Sequence, residues 1–179
     1  LSVYGRTMFD IKGHDIPNTL RNIANRLRKY APWGVTVHAS GGEEMIQKVV
    51  EALKGTPTKV LAVTVLTSLN QKTCEEIYVR IPAEEVRVLA AIAHRAGAHG
   101  IVCSPEEVGE LRQKYPDMTL VTAGVRSEGV DKGDQQRTGT PKGAIENGAS
   151  NLVMGRQILG APDPVAEVMR VLKDELGVI

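Results

Sequence analysis

Aromatic side chains are scarce in this sequence: one Trp, one Phe and four Tyr make up 3% of 179 residues. That argues against stacking platforms for single-stranded nucleic acid, which need rings in series. Neither sign of charge is in excess, with 22 Lys and Arg against 21 Asp and Glu and a formal net charge of +1. The basic surface of a nucleic-acid binder is therefore not expected. There are only two cysteines, Cys74 and Cys103, and neither lies in a C-x-x-C pair. This excludes a disulfide framework and makes a reduced, cytoplasmic compartment the default. The longest apolar stretch, Val60 to Val65 interrupted by Thr64, is far short of the roughly 20 residues needed to cross a bilayer, so no membrane partner is expected. The opening residues, Leu1-Ser2-Val3-Tyr4-Gly5-Arg6, lack the charged and apolar segments of a secretory signal. No Met starts the sequence, which leads us to expect that it begins inside a longer gene product.

What is present is ordinary for a globular chain: 42% hydrophobic and 24% charged residues, enough for a core. The length predicts a single domain over 1–179, yet it lies below the roughly 200 to 400 residues of a (β/α)8 barrel. Short β-like runs alternate with helical patterns. Strands are expected at Thr7–Ile11, Gly34–His38, Lys59–Val65, Gly100–Cys103, Thr119–Thr122 and Asn151–Met154. Helices are expected at Asn18–Tyr30, Glu43–Leu53, Ala83–Ala96, Pro105–Tyr115, Pro141–Asn147 and Asp163–Leu176, with an irregular or helical stretch near Gln71–Tyr78. Ser104-Pro105 and Thr140-Pro141 each offer a cap followed by Pro in the first turn.

Six consecutive strand–helix units imply a parallel sheet covered by helices. The sheet is either open and doubly wound or part of a (β/α) barrel. No G-x-G-x-x-G follows the first strand, which weakens the dinucleotide-binding version. Polar residues gather just after the strands, at Asp15, Ser40, Thr67, Arg126 and Arg156, where barrel enzymes carry their chemistry.

Three clusters could support chemistry. In Asp10-Ile11-Lys12-Gly13-His14-Asp15-Ile16-Pro17-Asn18-Thr19, Asp10 and Lys12 are two apart on a strand and point to one face. Charges facing an apolar barrel mouth are costly unless paired. An ammonium held among carboxylates, with Asp15 nearby, stays protonated and can deliver a proton to carbon. The same residues also suit a strand-end ion pair followed by a helix cap at Asn18 or Thr19. The second cluster, Thr122 to Arg126 followed by Ser127 to Arg137, is a polar, glycine-bearing loop of the kind that covers a ligand; it is equally readable as a surface loop. In the third, Met154-Gly155-Arg156, Gly permits close backbone approach and Arg can bind phosphate through two parallel bonds, although a turn with a solvated charge has the same sequence.

Other residues offer less. His14, His38, His94 and His99 have no H-x-H or H-E-x-x-H spacing, so no metal site is expected. His38 ends a strand, where packing is its expected role. Gly41-Gly42 could hold an anion at a helix N-terminus or simply turn the chain. Cys103 has no evident base partner and reads as buried and inert.

Taken together, these segments resemble the orotidine 5′-phosphate decarboxylase family. Asp10 to Thr19 is similar to its D-x-K-x-x-D-I-P-N-T signature, and Val63 to Leu69 to its fifth-strand motif. Thr122 to Arg126 resembles T-P-G-I-R, Asp134-Gln135 the phosphate-loop D-Q, and Val153 to Arg156 V-x-G-R. The motifs occur in the family's order across nearly the whole chain. The resemblance implies a cofactor-free (β/α)8 barrel, active as a homodimer, that makes UMP in pyrimidine biosynthesis. It implies that Lys12 protonates C6 of the pyrimidine and that Asp10 sits beside the substrate carboxylate. Asp15, with Ile16 and Thr19, would reach into the partner subunit's site, and Pro17 and Asn18 are expected among the substrate-binding residues. Thr67 and Ser68 would contact the pyrimidine, and Arg126, Gln135, Gly155 and Arg156 would hold the phosphate.

Two departures from the family pattern stand out. Ala123 replaces the Pro of T-P-G-I-R. The family's first two β/α units, about 50 residues at βαβ spacing, have no counterpart upstream of Asp10, and with them an Asp and a Lys of the charged array. Six of the eight units are expected here. Two other readings are a Mg²⁺-dependent 3-keto-gulonate-phosphate decarboxylase or hexulose-phosphate synthase relative, and a catalytically inactive nucleotide-binding or dimerisation module.

Overall fold

A computed structural model describes residues 5–131 and 133–179. Leu1 to Tyr4 of the N-terminal reading and Lys132 of the long loop lie outside the described residues. In chain order the elements are β1 (Met8–Gly13), α1 (Pro17–Leu27), β2 (Gly34–His38), α2 (Glu43–Leu53), β3 (Lys59–Val63), α3 (Gln71–Tyr78), α4 (Pro82–Arg95), β4 (Gly100–Cys103), α5 (Val108–Lys114), β5 (Thr119–Thr122), α6 (Pro141–Glu146), β6 (Asn151–Leu152), α7 (Arg156–Leu159) and α8 (Pro164–Arg170). The alternation is that of six successive β/α units.

The chain divides into two compact units. The first comprises Leu1–Val65 and Glu84–Val102. In it β1 pairs with β2, β2 with β3 and β3 with β4, all in parallel. Its core is aliphatic: Val35 and Val37 of β2, Val60, Leu61 and Ala62 of β3 and Ile101 of β4 are buried. Against them lie Leu20 of α1, Met45, Ile46, Val49 and Leu53 of α2, and Val86 and Leu89 of α4. The α2 residues recur with helical spacing on one face, and each fully buried aliphatic side chain contributes about 1.5–3 kcal/mol. Glu43 and Glu44 occupy the first turn of α2, where negative charge complements the helix dipole. Gly42 precedes them with φ +88°, so Gly41-Gly42 serves as the turn into the helix.

The second unit comprises Leu66–Ala83 and Cys103–Ile179. Here β5 and β6 pair in parallel above a core of Val108, Leu111, Leu120, Val121, Val125 and Ala144. Three of its helices, α3, α6 and α8, are capped by side chains. Asn70 Oδ1 accepts from Thr73 N–H at 2.9 Å to start α3, and Thr140 Oγ1 from Gly143 N–H at 3.1 Å to start α6. Asp163 Oδ1 accepts from both Val165 and Ala166 N–H at 3.0 Å to start α8. Each such cap is worth about 1 kcal/mol.

Several expected boundaries move. β1 runs to Gly13 rather than Ile11, so Lys12 lies within the strand. Helix α1 starts at Pro17 after Ile16, with no side-chain cap, so neither Asn18 nor Thr19 caps it. It ends at Leu27 and tightens into a 3-10 turn over Arg28–Tyr30. Helix α5 begins at Val108 rather than Pro105. There Glu107 Oε2 accepts from Ser104 N–H at 3.0 Å and from the Ser104 hydroxyl, and residues 105–107 form a turn ahead of the helix. The last helix is α-helical only to Arg170 and continues as a π turn over Val171–Glu175.

Candidate active site

The charged cluster of the first unit is built on an irregularity in β1. Phe9 pairs with Val35 and Gly13 with Val37, so Asp10, Ile11 and Lys12 stand opposite Thr36 alone. The extra length bulges out, and Lys12 takes φ +45°, a conformation that costs a non-glycine residue about 1–3 kcal/mol and gathers at functional sites. Hydrogen bonds hold it there. Lys12 N–H donates to Thr36 Oγ1 at 2.9 Å, and the Thr36 hydroxyl donates to Asp10 Oδ1 at 2.8 Å. Lys12 Nζ donates to Asp10 Oδ2 at 2.5 Å. The two charged side chains remain 43% and 40% exposed, so a fixed ammonium–carboxylate pair faces outward from a buried hydroxyl. The pairing expected from i, i+2 spacing is present, although a bulge makes it rather than a flat strand.

Electrostatics follow from this packing. Burial alone would raise the Asp10 carboxyl, but hydrogen bonds from Lys12 and Thr36, with the charges of Lys12 and His38, hold it below the ordinary range. His38, at the end of β2, is pushed below the usual His range by burial first and then by His14 and Lys12, with Asp10 opposing. The His14 and His38 rings lie 5.5 Å apart. Asp15 does not join the Asp10–Lys12 pair; its Oδ1 accepts from Ile16 N–H at 2.7 Å. Asp15, Ile16 and Asn18 are exposed, whereas Pro17 and Thr19 are half-buried.

The second unit brings together most of the remaining expected residues. The Thr67 hydroxyl, just after β3, donates to Gln135 Oε1, and Thr67 C=O accepts from Gln136 N–H at 2.9 Å. Arg156 forms an ion pair with Asp134, and hydrogen bonds from Arg156 and Gln135 hold the Asp134 carboxyl below its ordinary range. Gly133 lies against the Arg156 guanidinium, where an added Cβ would sit 2.6 Å from Nη1. Gly155 has open space around its Cα, and Ser68 is exposed. Arg126 departs from this group: only 8% exposed, it turns back so that Nη1 donates to Val125 C=O at 2.6 Å.

Three functional candidates escaped the sequence reading. Thr36 sits in an apolar strand and looks like an ordinary β-former; its one signal is a hydroxyl between two valines. Glu107 and Arg137 form a buried ion pair, 8% and 6% exposed at the side chain, from residues thirty positions apart that nothing local connects. Cys103 is buried as expected, and burial, reinforced by the Glu107 charge, pushes its thiol up to about 12. Among the described residues, no group of three or more His, Cys, Asp or Glu side chains is placed to hold a metal ion. No helix among them is long and apolar enough to cross a membrane.

A family model described as orotidine 5′-phosphate decarboxylase / HUMPS family matches residues 2–171. The chain belongs to this family. It is 46% identical over 159 residues to the orotidine 5′-phosphate decarboxylase of Thermobifida fusca, covering 88% of this chain and 67% of that protein. It is 43% identical over 170 residues to the enzyme of the same name from Nitrosomonas europaea, covering 94% and 73%. The crystal structure of orotidine 5′-phosphate decarboxylase from Lactobacillus acidophilus superposes with a TM-score of 0.80 at 38% identity, covering 95% of this chain and 75% of that one. The fold is accordingly that of the family's (β/α)8 barrel, with six of its β/α units in this chain.

Proposed function

We propose that this chain carries the decarboxylation of orotidine 5′-phosphate to UMP in pyrimidine biosynthesis. The observation that carries the reading is the Asp10–Lys12 pair, fixed on a strained bulge by Thr36 and set within the family's signature. In the proposed step the bond between C6 and the carboxylate carbon breaks and carbon dioxide leaves with its electron pair remaining on C6. Lys12 Nζ then gives its proton to C6 and recovers one from water. Asp10 orients the ammonium and sits beside the departing carboxylate. Because the ammonium is already oriented, the developing carbanion is met without solvent reorganisation. Thr67 and Ser68 face the pyrimidine, while Gln135, Gly155 and Arg156 take the phosphate, whose binding energy is spent on organising the reacting end; Arg126, whose guanidinium is bonded back to Val125 C=O, has no part in it. The proposal includes a cytoplasmic homodimer to which Asp15 and the segment through Thr19 contribute, and a reaction without cofactor or metal.

The test is orotidine 5′-phosphate turnover by the 179-residue chain and by a version of it extended upstream. Turnover that disappears in Lys12→Ala supports the reading. Absence of both turnover and UMP binding in the extended version overturns it, as does a Mg²⁺-dependent reaction without UMP affinity, which places the chain on the HUMPS side of the family.

A further inference from the structure

The second unit contains a buried charge pair that the proposed chemistry does not use. Glu107 lies in the turn after β4 and Arg137 at the end of the long loop after β5, and both side chains are almost wholly buried. Burying two charges is costly, and a pair of this kind is weak evidence for stability in itself. Its partners, however, all lead to one place. Glu107 is satisfied by Ser104 N–H, the Ser104 hydroxyl and Arg137. Arg137 Nη2 donates to Leu66 C=O at 3.2 Å, and its own N–H reaches Thr67 C=O at 3.4 Å beside that of Gln136 at 2.9 Å. The Arg137 carbonyl packs against Gly124, where an added Cβ would lie 2.6 Å away. The guanidinium thus fastens the loop's end to the segment carrying Thr67, and the Thr67 hydroxyl then holds Gln135.

We infer that Arg137, held by Glu107, is a positioning residue that sets Gln135 and Thr67 for binding the phosphorylated pyrimidine nucleotide. This rests on the function proposed above. The pair touches no substrate and acts by fixing the separation of two segments that do. A rigid fork suits that task, because Glu107 and Leu66 C=O are met by two nitrogens held at a fixed spacing, which the single nitrogen of Lys does not reproduce.

The experiment compares Arg137→Lys, Glu107→Gln and Gln135→Ala, singly and combined, in turnover and in UMP binding. Arg137→Lys is expected to raise KM about tenfold with kcat within about twofold, inside the hundredfold that a misplacement of about 1 Å can cost. In the Gln135→Ala background that penalty should shrink, because one of the two residues being positioned is gone. A folded Arg137→Lys chain with unchanged KM overturns the inference, and so does a penalty that persists undiminished without Gln135. If Arg137→Lys does not fold, Glu107→Gln, which keeps volume and an acceptor, gives the same comparison. Amide exchange at Gln136 separates the two levels. If the extended version, otherwise unaltered, neither turns over orotidine 5′-phosphate nor binds UMP, the functional reading fails. Faster Gln136 exchange in the variants then still supports the clamp, and unchanged exchange refutes it.

Discussion

The Thr36 hydroxyl donates to Asp10 Oδ1 at 2.8 Å while accepting the N–H of Lys12 at 2.9 Å. One buried hydroxyl therefore fixes both members of the exposed ion pair. Thr36→Val keeps the shape and removes both bonds. Leaving those groups unpaired should cost about 1–3 kcal/mol, read as a lower urea midpoint. Turnover should fall more steeply than substrate affinity, because the ammonium loses its orientation. A variant with unchanged midpoint and kcat would show that Thr36 is only a packing residue.

Lys12 has a left-handed backbone, which glycine adopts without strain. Lys12→Gly and Lys12→Ala should both abolish turnover. The glycine variant should be the more stable of the two by about 1 kcal/mol, the low end of the strain such a position stores. Equal denaturation midpoints would indicate that the bulge relaxes when the side chain is removed.

His38 is held below the ordinary His range by burial, then by His14 and Lys12. The unfolded chain therefore binds the proton more readily. Stability from this group is complete above the unfolded value of about 6.5 and is lost as pH falls from there toward the folded value. Urea midpoints between neutral and mildly acidic pH should decline in the parent and flatten in His38→Gln. An NMR titration of His38 with a midpoint at or above the free-His value would contradict this.

Gly124 has φ +79°, and a Cβ there would meet the Arg137 carbonyl at 2.6 Å. Gly124→Ala should destabilise by at least the roughly 1–3 kcal/mol of a strained non-glycine backbone. It should also displace the end of the loop, raising KM. Calorimetry and steady-state kinetics on the one variant check both effects.

Burial, with the Glu107 charge, pushes the Cys103 thiol up to about 12, and Cys74 is buried too. Since the thiolate is the reactive form, iodoacetamide at mildly alkaline pH should leave both cysteines unmodified in the folded protein and alkylate both in urea. Mass spectrometry counts the adducts; native-state labelling of Cys103 would show that its site opens readily.

Much of this was legible in the sequence, for identifiable reasons. Strands β2, β4 and β5 fall where apolar runs bounded by turn residues place them, and α2 where its apolar spacing does. The Asp10–Lys12 pair follows from alternation on a strand. The bulge does not, because register depends on the partner strand and not on the residues that bulge. Thr36 was hidden for the same reason: its importance lies in what stands opposite. The pair of Glu107 and Arg137 comes from segments brought together only by folding. The family resemblance implies that Arg126 holds the phosphate, yet its guanidinium is turned into the protein, an orientation that no local pattern encodes.

Three residues of β1 facing one of β2 constrain the gene in a way that residue identity alone does not. Between Phe9 and Gly13 the number of residues is itself fixed. A deletion of one there would shift Gly13 and the turn beyond it by one place, reversing which side chains face the core. It would also leave Thr36 without its two partners. Substitutions in this stretch can be graded by their chemistry, but a change in length offers no mild form.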